Sequence, residues 1–260
     1  MEILFIATLS GVVGTGLGGG IGALVGSRWG NESSKILSFA AGVMIGLVFF
    51  SIIPESLELI HVWLVVLLLC AGAALTFAVN YLLDAVSGTP HSHIPGISHS
   101  HDSDSSVRKT DKSKRTASLF LSAAIALHNL PEGLALGSGA KLNIGLGIVW
   151  AILITLHNIP IGLAIGAASA AEGKSILRGV LIAACSGIPM VIGAGIGIAV
   201  GSAGDLFLGA VFAVSGGALL YVDFCEIIPQ VIRGGHNVKT GFCILIGAVT
   251  TLLAVYLLHL

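Results

Sequence analysis

The run LHNLPEGLALG at Leu127–Gly137 decides how this chain is read, because it sets a histidine, an asparagine, a proline and a glutamate inside an apolar stretch. His128 and Glu132 are four residues apart, so on an α-helix they lie one turn apart on the same face. Pro131 between them has no backbone N–H for the carbonyl of Leu127, which predicts a break beside the two polar side chains. The same signature returns 29 residues later as LHNIPIGLAIG at Leu156–Gly166. A proline kink steadied by a nearby histidine accounts for one such motif. Two adjacent copies point to a constructed site.

The surroundings of both motifs are too apolar for a water-soluble domain: of 260 residues 55% are hydrophobic and 10% charged, and the mean hydropathy is +1.00. The chain therefore reads as an all-α integral membrane protein. A net charge of −1 and the absence of a basic stripe set nucleic-acid binding aside. Cys70, Cys185, Cys225 and Cys243 stand singly without CxxC spacing, so they read as small buried hydrophobes rather than a disulfide framework or a thiolate zinc site. Met1 and Glu2 offer no basic leader, and the first apolar run reads as a spanning helix, not a signal peptide.

A helix needs ~20 apolar residues to cross the hydrocarbon core. Marking runs of that length, with charged and Gly/Pro/Ser clusters as boundaries, gives eight expected spans: 3–26, 36–59, 62–86, 117–139, 143–170, 177–201, 205–231 and 240–260. Lysine and arginine favour cytoplasmic loops. Eleven of the twelve fall in or beside the loops after spans 1, 3, 5 and 7, with Lys141 the exception. That asymmetry predicts both termini outside the cytoplasm, and a wrong span count would have scrambled it.

A shift of 175 lays Gly18, Gly20, Ile21, Gly22, Val25, Gly26 and Ser27 of span 1 onto Gly193, Gly195, Ile196, Gly197, Val200, Gly201 and Ser202 of span 6. The same shift lays Gly42 onto Gly217 and Ile52-Ile53-Pro54 onto Ile227-Ile228-Pro229. Glycine-rich helices resemble one another in any case, but one offset kept across two helices and a loop is harder to obtain by chance. Spans 1 and 6, 2 and 7, and 4 and 5 run in opposite directions, which predicts a 3+2+3 inverted repeat over a single domain, 1–260, with a midplane site.

One long polar loop, 87–116, carries His91, His93, His99 and His101 in HSHIPGISHSH, followed by a Ser/Asp/Lys/Arg mixture expected to be disordered and cytoplasmic. It reads equally as a weak metal-collecting tract or a plain solvated linker.

Ionisable groups inside a span cost about 3 kcal/mol or more each and mark a site or pathway. Here such groups concentrate together with neutral amides: spans 4 and 5 supply His128, Glu132 and His157 with Asn129 and Asn158, and span 7 supplies Asp223 and Glu226. Imidazole nitrogens with carboxylate oxygens suit zinc and its borderline neighbours, and without thiolates the ion stays releasable. Breaks at Pro131 and Pro160 would add backbone carbonyls at membrane depth. Glu55, Glu58 and His61 at the outer end of span 2 read as solvated in preference to an entry vestibule, Asp84 near the cytoplasmic end of span 3 reads equally as an exit-path or a capping residue, and His236 and His259 near span ends have no assigned role.

The paired HNLPEG and HNIPIG motifs resemble those of the ZIP (Zrt/Irt-like) family of divalent-metal transporters, and the resemblance extends to the eight spans, the histidine loop and the IIPE and EIIPQ ends of spans 2 and 7. It implies that His128, Glu132 and His157 bind the transported metal, that Asn129 and Asn158 line it or serve a second site, that Glu226 is a further carboxylate and that Met44 is a soft ligand. It also implies a sliding four-helix group holding spans 4 and 5, pairing into homodimers in the cell membrane, and Zn2+, Cd2+, Fe2+, Mn2+ or Co2+ as cargo entering the cytoplasm. Where the family's span 5 motif carries a second glutamate, this chain has Ile161, which implies a single-metal site. No GxxxxGK[ST] occurs, and no catalytic cofactor is expected. An intramembrane metal-dependent hydrolase is the alternative; it is disfavoured because HExxH is absent and catalysis gives no reason for a chain-wide repeat.

Overall fold

The computed structural model describes residues 2–25, 30–87, 117–200, 203–233 and 238–258. The four loop histidines, His236 and His259 lie outside the described residues, as do the side chains of Asp84 and His128. Among the described residues the chain is all helical.

The helices are α1 (Glu2–Val25), α2 (30–59), α3 (Val62–Ser87), α4 (Ala117–Leu142), α5 (Ile144–Ala171), α6 (Ile176–Val200), α7 (205–233) and α8 (Val238–Leu258). Seven of them, all but α4, contain a described stretch long and apolar enough to cross a membrane. At 26 residues α4 is also longer than the ~20 that a crossing requires. The motif residues His128, Asn129, Pro131 and Glu132 interrupt its apolar run. The observed bounds follow the expected spans closely, except that α2 begins at Gly30 rather than at 36. Hydropathy locates where a helix enters an apolar medium, not where its hydrogen bonds start.

Local chemistry sets the turns on either side of α5. Asn143 caps α5, its side chain accepting from the Gly145 N–H at 2.8 Å, and Ser175 caps α6 by accepting from the Arg178 N–H at 3.4 Å. Between them Gly173 takes φ 73°, the left-handed conformation that ends a helix at least cost in glycine.

The prolines behave differently from the sequence expectation. Pro131 and Pro160 lie inside continuous helices, so the breaks predicted there do not occur. Irregular backbone is found elsewhere. π turns run through Leu9–Val13 of α1, Val48–Ile52 of α2 and Asp223–Ile227 of α7, and α6 is interrupted at Gly187. In α2 and α7 the π turn ends just before Pro54 and Pro229, widening the helix where a proline ring would strike the carbonyl four residues back. The two π turns differ by 175 in residue number.

Four close helix pairs build the molecule: α1 with α5, α6 with α4, α8 with α2 and α7 with α3. Each is closed by glycine against main chain. A Cβ at Gly18 or Gly22 would run into the carbonyl of Ile159 or Leu163, and one at Gly162 or Gly166 into that of Thr15 or Gly19. On the other side, Gly133 and Gly137 abut Met190 and Ala194, while Gly193 and Gly197 abut Leu130 and Leu134. Gly42 meets Ile244 and Gly247 meets Phe39, and at the same shift of 175 Gly217 meets Leu69 and Gly72 meets Val214. Both members of every contact thus have counterparts, at 175 for the flanking helices and 29 for α4 and α5. Small residues let backbones approach where lipid offers no hydrophobic drive for association.

Candidate metal site between α4 and α5

Glu132 on α4 and His157 on α5 are brought face to face in the interior, 1% and 2% exposed. His157 Nε2 stands 3.6 Å from Glu132 Oε1. Two ligands each ~2.1 Å from a tetrahedral zinc ion are ~3.4 Å apart, so the separation suits two ligands of one ion.

A backbone contact prepares the imidazole. His157 Nδ1 lies 3.0 Å from the carbonyl oxygen of Ala40 on α2, and because a carbonyl only accepts, Nδ1 must carry the proton. In the neutral ring the lone pair is then on Nε2, the nitrogen facing Glu132. An N–H held by a carbonyl is the usual support of a metal-binding histidine.

The asparagines flank this pair. Asn129 Nδ2 donates to the carbonyl of Ser186 at 2.7 Å, and Asn158 Nδ2 to the carbonyl of Ser10 at 3.2 Å, with Met190 Sδ 4.0 Å away. Ile161 is 4% exposed and fills the place that Glu132 holds in the α4 motif. Met44 is 2% exposed and belongs to an apolar cluster with Ala135 and Leu136 of α4 and Leu153 and Ile154 of α5.

Span 7 residues lie within one π turn. Asp223 is fully buried, while half-buried Glu226 accepts a hydrogen bond from Asn80 Nδ2 of α3. Among the described residues no three His, Cys, Asp or Glu groups gather closely enough to hold an ion, so Glu226 does not join Glu132 and His157 in this conformation. The His128 side chain, the fourth member of the expected set, lies outside the described residues.

Sequence reasoning missed the supports. Asn80, a lone amide in an apolar run, carried a signal of the kind that marked His157. The carbonyls of Ala40, Ser10 and Ser186 carried none, since every residue has one. Nor did the buried link from Trp150 Nε1 to Ser51 Oγ at 2.7 Å, which ties α5 to the π turn of α2.

Continuous apolar helices, glycine-closed packing and a buried carboxylate–imidazole pair define an integral membrane protein with a polar site in its interior. A family model described as ZIP Zinc transporter matches residues 2–254, and the chain belongs to that family. It is similar to the zinc transporter ZupT of Chlorobium luteolum, 28% identical over 246 residues that cover 91% of this chain and 90% of the relative. It is also similar to the zinc transporter GufA of Myxococcus xanthus, 42% identical over 125 residues, covering 48% of this chain and 49% of GufA. The zinc transporter ZIPB of Bordetella bronchiseptica is 40% identical over 116 residues, covering 44% of this chain and 37% of ZIPB. The chain thus spans about half of GufA and little more than a third of ZIPB. These relatives are named transporters, not enzymes.

Proposed function

We infer that the protein carries divalent metal ions, zinc first among them, across the cell membrane into the cytoplasm through the site on α4 and α5. The observation that carries this reading is the His157–Glu132 pair: an imidazole whose Nδ1 is held by the Ala40 carbonyl and whose Nε2 stands 3.6 Å from a carboxylate oxygen, both groups buried in an apolar chain. His128, Glu132 and His157 are the ligands. Asn129, Asn158 and Met44 line the path, and Glu226 joins the ion when α3 and α7 release it. With Ile161 in place of a second carboxylate, the site holds one ion at a time. Cadmium, iron, manganese and cobalt as divalent ions are the competing cargoes, since nitrogen and oxygen donors alone discriminate poorly among them.

The transport cycle is alternating access. The eight helices form a 3+2+3 inverted repeat with both termini outside, and the counterpart glycine contacts at 175 and the paired π turns support that symmetry. The group α1, α4, α5 and α6 moves against the group α2, α3, α7 and α8, in a chain that pairs as a homodimer. The hydrogen bonds from His157 and Trp150 to α2 cross the boundary between groups and must be exchanged as the site moves. A neutral histidine is the ligand form, so uptake weakens as pH falls through the imidazole range near ~6.5.

Zinc uptake into proteoliposomes tests the reading. Wild-type protein is expected to show saturable uptake, and Glu132→Ala and His157→Ala to show none. Undiminished flux in either variant removes that residue from the site, and no flux from wild type removes the function.

A further inference from the structure

Ser215 is a polar residue on the apolar stripe of α7. Leu208, Phe212, Leu219 and Val222, at helical spacing on either side of it, belong to the cluster that takes in Ala135 and Leu136 of α4 and Leu153 and Ile154 of α5. Ser215 is 1% exposed, and its Oγ has no hydrogen-bond partner.

A helical hydroxyl has an easy partner, since the carbonyl four residues back is within reach. Thr15, Ser138 and Thr155 take it, and Ser10, Ser56 and Thr251 reach a carbonyl of another helix. Ser215 does neither. Among the described residues the other buried hydroxyl left in this way is that of Ser169, near the far end of α5. A buried polar group without a partner calls for a reason.

The internal repeat gives Ser215 a counterpart of known use. A shift of 175 carries α1 and α2 onto α6 and α7, and a shift of 29 carries α4 onto α5. Paired contacts obey both shifts at once: Gly18 meets Ile159 as Gly193 meets Leu130, and Gly162 meets Thr15 as Gly133 meets Met190. Under the same two shifts Ala40 corresponds to Ser215 and His157 to His128. The carbonyl of Ala40 holds His157 at Nδ1, 3.0 Å away. Ser215 is therefore the position on α7 that answers to the support of His157, and of the two it alone carries a side-chain oxygen.

We propose that Ser215 is a positioning residue for His128: its Oγ accepts the Nδ1 hydrogen of that ring in the ion-bearing protein, as the Ala40 carbonyl does for His157, and leaves Nε2 for the ion. Such a support fixes the tautomer and orientation of a ligating histidine and raises its basicity. It also gives the hydroxyl its reason, since the bond serves the ligand and not the packing of α7. The proposal rests on the transport reading for His128 as a ligand, and on the burial of Ser215 and the repeat for the support.

Ser215→Ala removes the hydroxyl without removing a bond of the fold, so the melting temperature of the metal-free protein in detergent is expected to stay at or above that of wild type. In proteoliposomes S215A is expected to raise the KM for zinc roughly tenfold, the scale on which such supports act on metal affinity, with the maximal rate per folded transporter kept. An unchanged KM, a loss confined to maximal rate, or a lowered melting temperature overturns the proposal. Ser215→Cys separates support from direct ligation. A thiol touching the ion would turn preference toward the softer cadmium, so S215C is expected to keep the wild-type ratio of cadmium to zinc KM, and a shift toward cadmium overturns the proposal. The zinc-dependent rise in melting temperature of the full chain reads binding without transport, and S215A is expected to need roughly tenfold more zinc for the same rise. The same zinc dependence in both proteins, or no rise in wild type, overturns the proposal. Wild-type protein that shows the rise but no uptake defeats the transport reading instead, and the zinc titration of S215A still decides the support.

Discussion

The motifs on α4 and α5 share the frame Leu-His-Asn-x-Pro-x-Gly, pack through corresponding glycines and donate from the asparagine to a serine carbonyl of α6 or α1, yet one offers Glu132 where the other offers Ile161. Their frame serves packing, which symmetry repeats; the exchanged position serves chemistry, which symmetry need not repeat. In α4 the position faces His157 across 3.6 Å, and in α5 it is a buried aliphatic side chain. Negative charge at the centre of the pair therefore comes from α4 alone.

The most severe way to break this comparison is to make the two motifs alike by removing charge. Glu132→Ile is expected to abolish zinc uptake, because the ion would lose the one carboxylate that α4 and α5 contribute to offset its charge in a low-dielectric interior. Making them alike in the other direction gives the next largest change. Ile161→Glu, in protein lacking residues 91–101, is expected to raise bound zinc from one ion per chain to two by elemental analysis; a ratio of two in the parent would contradict the single-metal site.

Smaller effects probe the shared frame. Gly133→Val and Gly162→Val each force a side chain into a main-chain carbonyl of the facing helix, and each is expected to lower stability by at least about 1–3 kcal/mol, read as a lower melting temperature in detergent. Similar losses would support equivalent packing roles, and a large inequality would break the comparison. Trp150→Phe is the mildest change. It keeps the ring against Phe212 but removes the N–H from Ser51, and about 1 kcal/mol of stability is expected to be lost.

Much of this was legible in the sequence because a membrane punishes misplaced polarity. His157 and Glu132 stood out for the same reason that they are expensive: each sits in a run that otherwise excludes such groups. Asn80 could have been found by the same rule. The helix irregularities were not legible in the same way. Seven prolines all lack an N–H, but Pro131 and Pro160 are absorbed into continuous helices while Pro54 and Pro229 follow π turns. Whether a helix bends at a proline depends on what its neighbours demand, and that information is not local.

By itself the sequence determined the class of protein, the approximate limits of its helices, the offset of 175 and the residues with metal-binding chemistry. Hydropathy and side-chain type are properties of single positions or short windows, so they can be read in one dimension. Only the tertiary structure decided that His157 presents Nε2 rather than Nδ1 to Glu132, that Glu226 accepts from Asn80, and that Asn129 and Asn158 donate to the carbonyls of Ser186 and Ser10. Each of these depends on groups brought together from distant parts of the chain, three of them main-chain carbonyls, and a carbonyl acquires an identity only through what folds against it.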